Sequence, residues 1–153
     1  MPSVAGLGHV GIFTHDLFKM RDFYSRVMGL EITDEDTEDR GIVFMSARPE
    51  EEHHEFVLMK GRDAEEGARV IQQISFYVDT LTELKDFHKV FKEEKVRIER
   101  TVSHGNAFGM YALDPALLNI WGPGGFSLLN FVTVVGLVSI GIGFMGSPQV
   151  YVR

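Results

Sequence analysis

The chain has no cysteine among its 153 residues. That excludes a disulfide framework and any zinc–thiolate site, and it fits a reducing compartment. Short basic runs are also missing. With 15 Lys and Arg against 22 Asp and Glu, the formal net charge is −7. Phosphate backbones are held by concentrated Lys and Arg, so nucleic acid is not an expected partner. The opening residues carry no basic stretch followed by an apolar one, so no secretory signal is expected and the cytoplasm is the expected location. Charge is missing altogether from one region. From Ala116 onward the only charged residue is Arg153, and residues 126–146 have none.

The remainder has the balance of a soluble globular chain, 44% hydrophobic and 24% charged, and its length supports one domain with a real core. A repeat runs through it. Residues 8–13 alternate apolar and small side chains with the period of a strand. Asp16 follows as a helix N-cap, and Leu17, Met20, Phe23, Val27 and Met28 then recur at spacings of three and four, one apolar stripe on a helix that Gly29 ends. The same events return later. Residues 71–78 read as a strand, Asp79 or Thr80 caps, and Leu81, Leu84, Phe87, Val90 and Phe91 form the second stripe. Leu17 matches Leu81, and Asp22-Phe23 matches Asp86-Phe87, at one constant offset.

Short strand-like runs follow each helix: residues 31–33, 41–45 and 55–59 in the first unit, then 96–98, 108–112 and a last strand after Leu117 in the second. Residues 47–52 read as the turn between two of these strands, and residues 61–67 as a charged linker. Each unit is therefore strand, helix, strand, strand, strand. One such unit has an open sheet edge and a bare face, so the expected fold class is α+β, with two βαβββ modules forming a curved mixed sheet cup. Residues 4–60 make the first module, 70–115 most of the second, and 116–153 an atypical apolar C-terminal segment.

The strand Gly8-His9-Val10, the helix run Asp22-Phe23-Tyr24-Ser25-Arg26-Val27-Met28-Gly29-Leu30 and the repeated βαβββ unit resemble the vicinal-oxygen-chelate superfamily, which includes glyoxalase I, bleomycin-resistance proteins and extradiol dioxygenases. Within it, Val102-Ser103-His104, five residues, Met110-Tyr111, two residues and Asp114-Pro115 resemble the signature of extradiol ring-cleaving dioxygenases. The likeness covers residues 4–115. It implies an extradiol dioxygenase-like protein acting on a catechol-type aromatic diol with Fe(II), or another divalent metal, and O2. It also implies pairing into a homodimer.

By the same resemblance His9 stands at the first iron ligand. Gln73 stands where the family has a second histidine, and Trp121 where it has the glutamate ligand; Leu117 replaces a glycine. His104 stands at the second-sphere acid–base histidine and Tyr111 at the hydrogen-bonding tyrosine. Two histidines and one carboxylate leave open positions on Fe(II) for a catecholate and dioxygen. A nearby histidine moves the phenolic proton near neutral pH, and a tyrosine hydroxyl orients the bound oxygen. Loss of the glutamate removes the only anionic ligand, and Gln73 offers only a neutral oxygen.

Glu55 stands where glyoxalase-like members carry a carboxylate ligand, which gives an alternative metal set of His9, Glu55 and Gln73. Two further function classes stay open beside the dioxygenase: a metal-free aromatic-binding or drug-binding protein of the bleomycin-resistance type, and a glyoxalase-like metal-dependent lyase or isomerase. His53 and His54 are neighbours, and neighbouring strand residues point to opposite faces, so only one of them is expected in a pocket. His15 and His88 are expected to face solvent, and Glu50-Glu51-Glu52 to be a solvated turn. His104, beside Gly105-Asn106, also fits plain turn chemistry, and Tyr111 a core aromatic. Residues 126–146 admit three readings: a membrane segment, a strand completing the second unit followed by an apolar arm, or a replaced terminus. The abrupt loss of charge after Pro115 favours the last.

Overall fold

The computed structural model describes residues 4–64, 71–104, 107–114 and 137–143. They fall in two compact units, Met1–Asp63 and Ala64–Arg153.

The first unit runs β1 (Val10–Thr14), α1 (Leu17–Asp22), β2 (Glu31–Asp36), β3 (Ile42–Ser46) and β4 (Phe56–Lys60). Asp16 caps α1 by accepting the Lys19 N–H at 3.0 Å. The apolar stripe continues past Asp22, but the backbone widens into a π-helical turn over Phe23–Val27. Gly29 then ends the helix at a φ of 78°, a conformation open to glycine at no steric cost. Leu17, Met20, Phe23, Tyr24 and Val27 are all buried, as are Val43, Met45, Phe56 and Leu58 from the sheet. Tyr24 meets Phe56 with ring centroids 4.3 Å apart.

The strand order is β1-β4-β3-β2. The last strand enters between the first and the third, parallel to β1 and antiparallel to β3. That position explains why Phe56, Val57 and Leu58 are consecutive buried residues: an interior strand covered on both faces has no polar side. Gly41, with φ at 64°, lets the chain enter β3 against β4. A Cβ there would sit 2.8 Å from the Cβ of Lys60.

The second unit repeats the plan with β5 (Gln73–Tyr77), α2 (Leu81–Glu93), β6 (Ile98–Ser103), β7 (Ala107–Leu113) and β8 (Leu137–Gly143), in the order β5-β8-β7-β6. Thr80 and Glu83 close α2 with a reciprocal capping box. Leu84 and Phe91 are buried, whereas Leu81 keeps 38% of its surface exposed. The two units share a register shift at the same place: between Ile32 and Asp34 on β2, and between Ile98 and Arg100 on β6. The expected α+β fold with two βαβββ units is thus what the chain forms.

Two boundaries differ from expectation. Residues 96–98 read as a strand, but β6 begins at Ile98 and extends to Ser103. β6 is an edge strand, and edges tolerate the charges at Glu99 and Arg100 that hide it from a hydrophobic pattern. In the apolar C-terminal segment, residues 137–143 form β8, which pairs with β5 and β7 and completes the unit. This is the strand that the second reading of the tail called for; residues 116–136 and 144–153 lie outside the described residues. Among the described residues no helix is long and apolar enough to cross a membrane.

Leu58 is fully buried in β4. Leu58→Ala is expected to cost about 2–5 kcal/mol in urea unfolding. Phe18→Ala, at a position 64% exposed, should stay within about 0.5 kcal/mol of the parent.

Candidate functional site

On β7, Tyr111 lies opposite Arg100 of β6, and the strand pair turns back through His104. The His104 N–H donates to the Ala107 carbonyl at 2.8 Å, which holds the histidine at the mouth of this hairpin. Its Nε2 lies 3.1 Å from the Tyr111 hydroxyl. Tyr111 is buried and His104 exposed, so the pair joins an anchored phenol to an imidazole open to a ligand. The Arg100 guanidinium sits over the tyrosine ring, 4.4 Å from its centroid. Gly109 lies beside both rings: a Cβ there would make ordinary contact, 3.5 Å from the Tyr111 ring and 3.8 Å from His104 Nε2. Asp114, the last described residue of the motif, is buried.

A hydrogen-bonded imidazole and phenol can relay a proton, and can share one with a hydroxyl brought to them. His104 and Tyr111, seven positions apart, are therefore brought together. Arg100 and Gly109 complete the arrangement and were not singled out from sequence. The signal for both lies in the β6–β7 register, which the one-residue shift before Arg100 conceals.

The other candidates are dispersed. Gln73 opens β5, and its side-chain amide donates to the Ser75 hydroxyl. His9 immediately precedes β1 in the first unit and is exposed. Its ring lies 4.6 Å from that of His54, centroid to centroid. His53 and His54 were expected on opposite faces, but β4 begins only at Phe56, so strand alternation does not apply to them. Their Nδ1 atoms are 2.8 Å apart, and both rings lie against Phe44. Burial, followed by His9 and His53, holds the His54 imidazole below its ordinary pKa against the opposing pull of Glu52. His88 was expected to face solvent; it is half-buried beside the sheet.

Glu55 has a different occupation. One carboxylate oxygen accepts from the Ser46 hydroxyl at 3.2 Å and the Ala47 N–H at 3.0 Å, and the other accepts both Arg48 donors, the shorter at 2.7 Å. It ties the end of β3 to the start of β4. Both oxygens are engaged, and among the described residues no group of three or more His, Cys, Asp or Glu could hold a metal ion. Trp121, at the position of the family's glutamate, lies outside the described residues.

Burial pushes the Glu55 carboxyl upward, but its bonds to Arg48, Ala47 and Ser46 outweigh that and hold it below the ordinary carboxylate value. A pKa lower in the folded than in the unfolded chain stabilises above the unfolded value, and the gain is lost as pH falls through the folded one. Glu55→Gln is expected to cost about 1–2 kcal/mol at neutral pH. Urea unfolding in steps down through the carboxylate range should find that gap closing.

Residues 6–126 match the Glyoxalase/Bleomycin resistance protein/Dioxygenase superfamily. None of the curated proteins compared matches the chain. Among solved structures, an integron cassette protein from the mobile metagenome of the Halifax Harbour sewage outfall is 19% identical, with a TM-score of 0.65 over 91% of this chain and 99% of that one. Lactoylglutathione lyase from Agrobacterium tumefaciens is 18% identical, with a TM-score of 0.63 over 93% and 96% of the two chains. The fosfomycin resistance protein FosX from Listeria monocytogenes is 14% identical, with a TM-score of 0.64 over 94% and 97%. At these identities the likeness is one of fold. Two βαβββ units, each closed by its own last strand, and a match across most of the length lead to one conclusion: the chain belongs to the glyoxalase/bleomycin resistance/dioxygenase superfamily, the vicinal-oxygen-chelate group.

Proposed function

We propose that this protein is extradiol dioxygenase-like and takes a catechol-type aromatic diol at the His104–Tyr111 pair. The observation that carries the reading is the 3.1 Å contact between His104 Nε2 and the Tyr111 hydroxyl, on a hairpin where Gly109 lies beside both rings. A catechol presents two adjacent hydroxyls. His104 accepts the proton of one, and Tyr111, fixed by burial, donates to the oxygen that the proton leaves. The Arg100 cation beside the phenol favours the anionic form of a ligand bound there. The same reading includes a homodimer.

Fe(II) is the metal that would supply oxygen activation in such a protein. The described candidates do not fit it. Glu55 is held by Arg48, Ser46 and Ala47, and Gln73, whose side-chain NH2 donates to Ser75, offers only a neutral oxygen. No step is therefore assigned to a metal. The engagement of Glu55 equally weakens a glyoxalase-like metal set, and it favours, as a second reading, a metal-free protein that binds the aromatic without cleaving it.

Calorimetric titration with 4-methylcatechol under anaerobic conditions tests the shared core of both readings. Binding is expected, with His104→Ala weakening it by about tenfold, the scale of a lost hydrogen bond. The dimethyl ether of the same diol, which has no proton to give, should bind more weakly. Admission of Fe(II) and O2 then separates the two: a yellow ring-fission product marks the dioxygenase, and binding without product the aromatic-binding protein. Equal affinity of the parent and His104→Ala for the diol would contradict both.

A further inference from the structure

The second unit has another concavity, on the opposite face of its sheet from Tyr111. Side chains alternate along β6 and β7, and Thr101 and Ser103 lie across from Met110 and Phe108. These four face α2, whereas Arg100 and Tyr111 face away from it. α2 is seated unevenly on this surface. Towards its C-terminal end Phe91 is fully buried, but at its start Leu81 is 38% exposed. The helix thus leaves a cavity of about 320 Å³ between its first turns and the sheet, within the range of small-molecule sites.

The lining has a divided character. Leu84, Phe108 and the fully buried Met110 supply an apolar floor. Lys85 and His88, three positions apart on one side of α2, stand at its edge, with the hydroxyls of Thr101 and Ser103 across from them. Among the described residues no carboxylate lines the cavity. Elsewhere on α2, Lys89 pairs with Asp86 at 2.7 Å, and Glu83 is used in the capping box. Among the described residues, Lys85 and His88 have no hydrogen-bond or ion-pair partner. An ammonium and an imidazole thus stand at the rim of an apolar hollow. Such a pair is complemented by an anion carried on an apolar body.

We propose that the groove between α2 and the β6–β7 strands binds a small amphipathic carboxylate, its apolar body on Leu84, Phe108 and Met110 and its head group at Lys85 and His88. The apolar floor sets the depth of burial and the rim sets the sign of charge. Neither element belongs to the His104–Tyr111 pair, so this site stands or falls apart from the catechol reading.

Octanoate is a suitable probe, with octan-1-ol as its uncharged counterpart, each titrated into the full chain and followed by amide chemical shifts. Octanoate is expected to move the resonances of Leu84, Lys85, His88 and Met110 and to bind several-fold more tightly than octanol. Lys85→Met, at an exposed helix position, should weaken octanoate by about fivefold, the scale of a partly exposed ion pair, and leave octanol unchanged. Thr101→Phe, which fills the hollow from an exposed edge-strand position, should abolish both. Equal affinity for octanoate and octanol would overturn the proposal. So would indifference to Lys85→Met, or an absence of shifts on α2 and β7, which would mean that the groove is closed or already filled.

Discussion

Each unit depends on where its last strand goes. β4 enters between β1 and β3, and β8 between β5 and β7, so each is hydrogen-bonded on both sides and no other strand of its unit can close the sheet. A strand in that position pairs in parallel with the first strand and antiparallel with the third. That arrangement requires the helix to serve as the crossover on one face. The consecutive buried residues of β4, the glycine at position 41 and the carboxylate clamp of Glu55 all serve this insertion in the first unit. In the second unit the inserted strand comes from a segment devoid of charge, consistent with a place in the interior of a sheet.

β7 lies against the inserted strand and carries both candidate surfaces. Its alternating side chains give Tyr111 to one face and Phe108 and Met110 to the other. On the first face a short register shift in β6 brings Arg100 beside the phenol, and Gly109 lies next to both the tyrosine and His104. On the second, the first turns of α2 leave an apolar hollow with Lys85 and His88 at its rim. One strand thus separates the hydrogen-bonded His104–Tyr111 pair from an amphipathic groove. The family relation accounts for the scaffold; the chemistry follows from these particular side chains.

What the sequence disclosed follows the reach of its signals. Caps act within three residues, so Asp16, Gly29 and Thr80 were legible, and so were the buried positions of the α1 stripe. The duplicated unit was legible because strand and helix keep register together. The π-helical turn at Phe23–Val27 was not, since it preserves the same stripe while altering only the backbone. A last strand after Leu117 was expected, but its place at Leu137–Gly143 was not legible, because an unbroken apolar run does not distinguish a buried strand from a membrane segment. Among site residues, the spacing of His104 and Tyr111 carried through to a contact. Glu55 did not stand free as a ligand, because its partner Arg48 lies across a turn whose closure no local pattern announces. His53 and His54 show the same limit: alternation holds only within a strand, and β4 begins after them, at Phe56.

His104 is the imidazole proposed to meet the ligand. The direct measurement is the side-chain 15N spectrum of the six histidines during a titration with 4-methylcatechol. Binding at the hairpin predicts that the His104 ring nitrogens shift, Nε2 most, while those of His9, His53 and His54 hold still. Shifts confined to that histidine cluster, with His104 unmoved, would contradict the assignment and place the aromatic in the first unit.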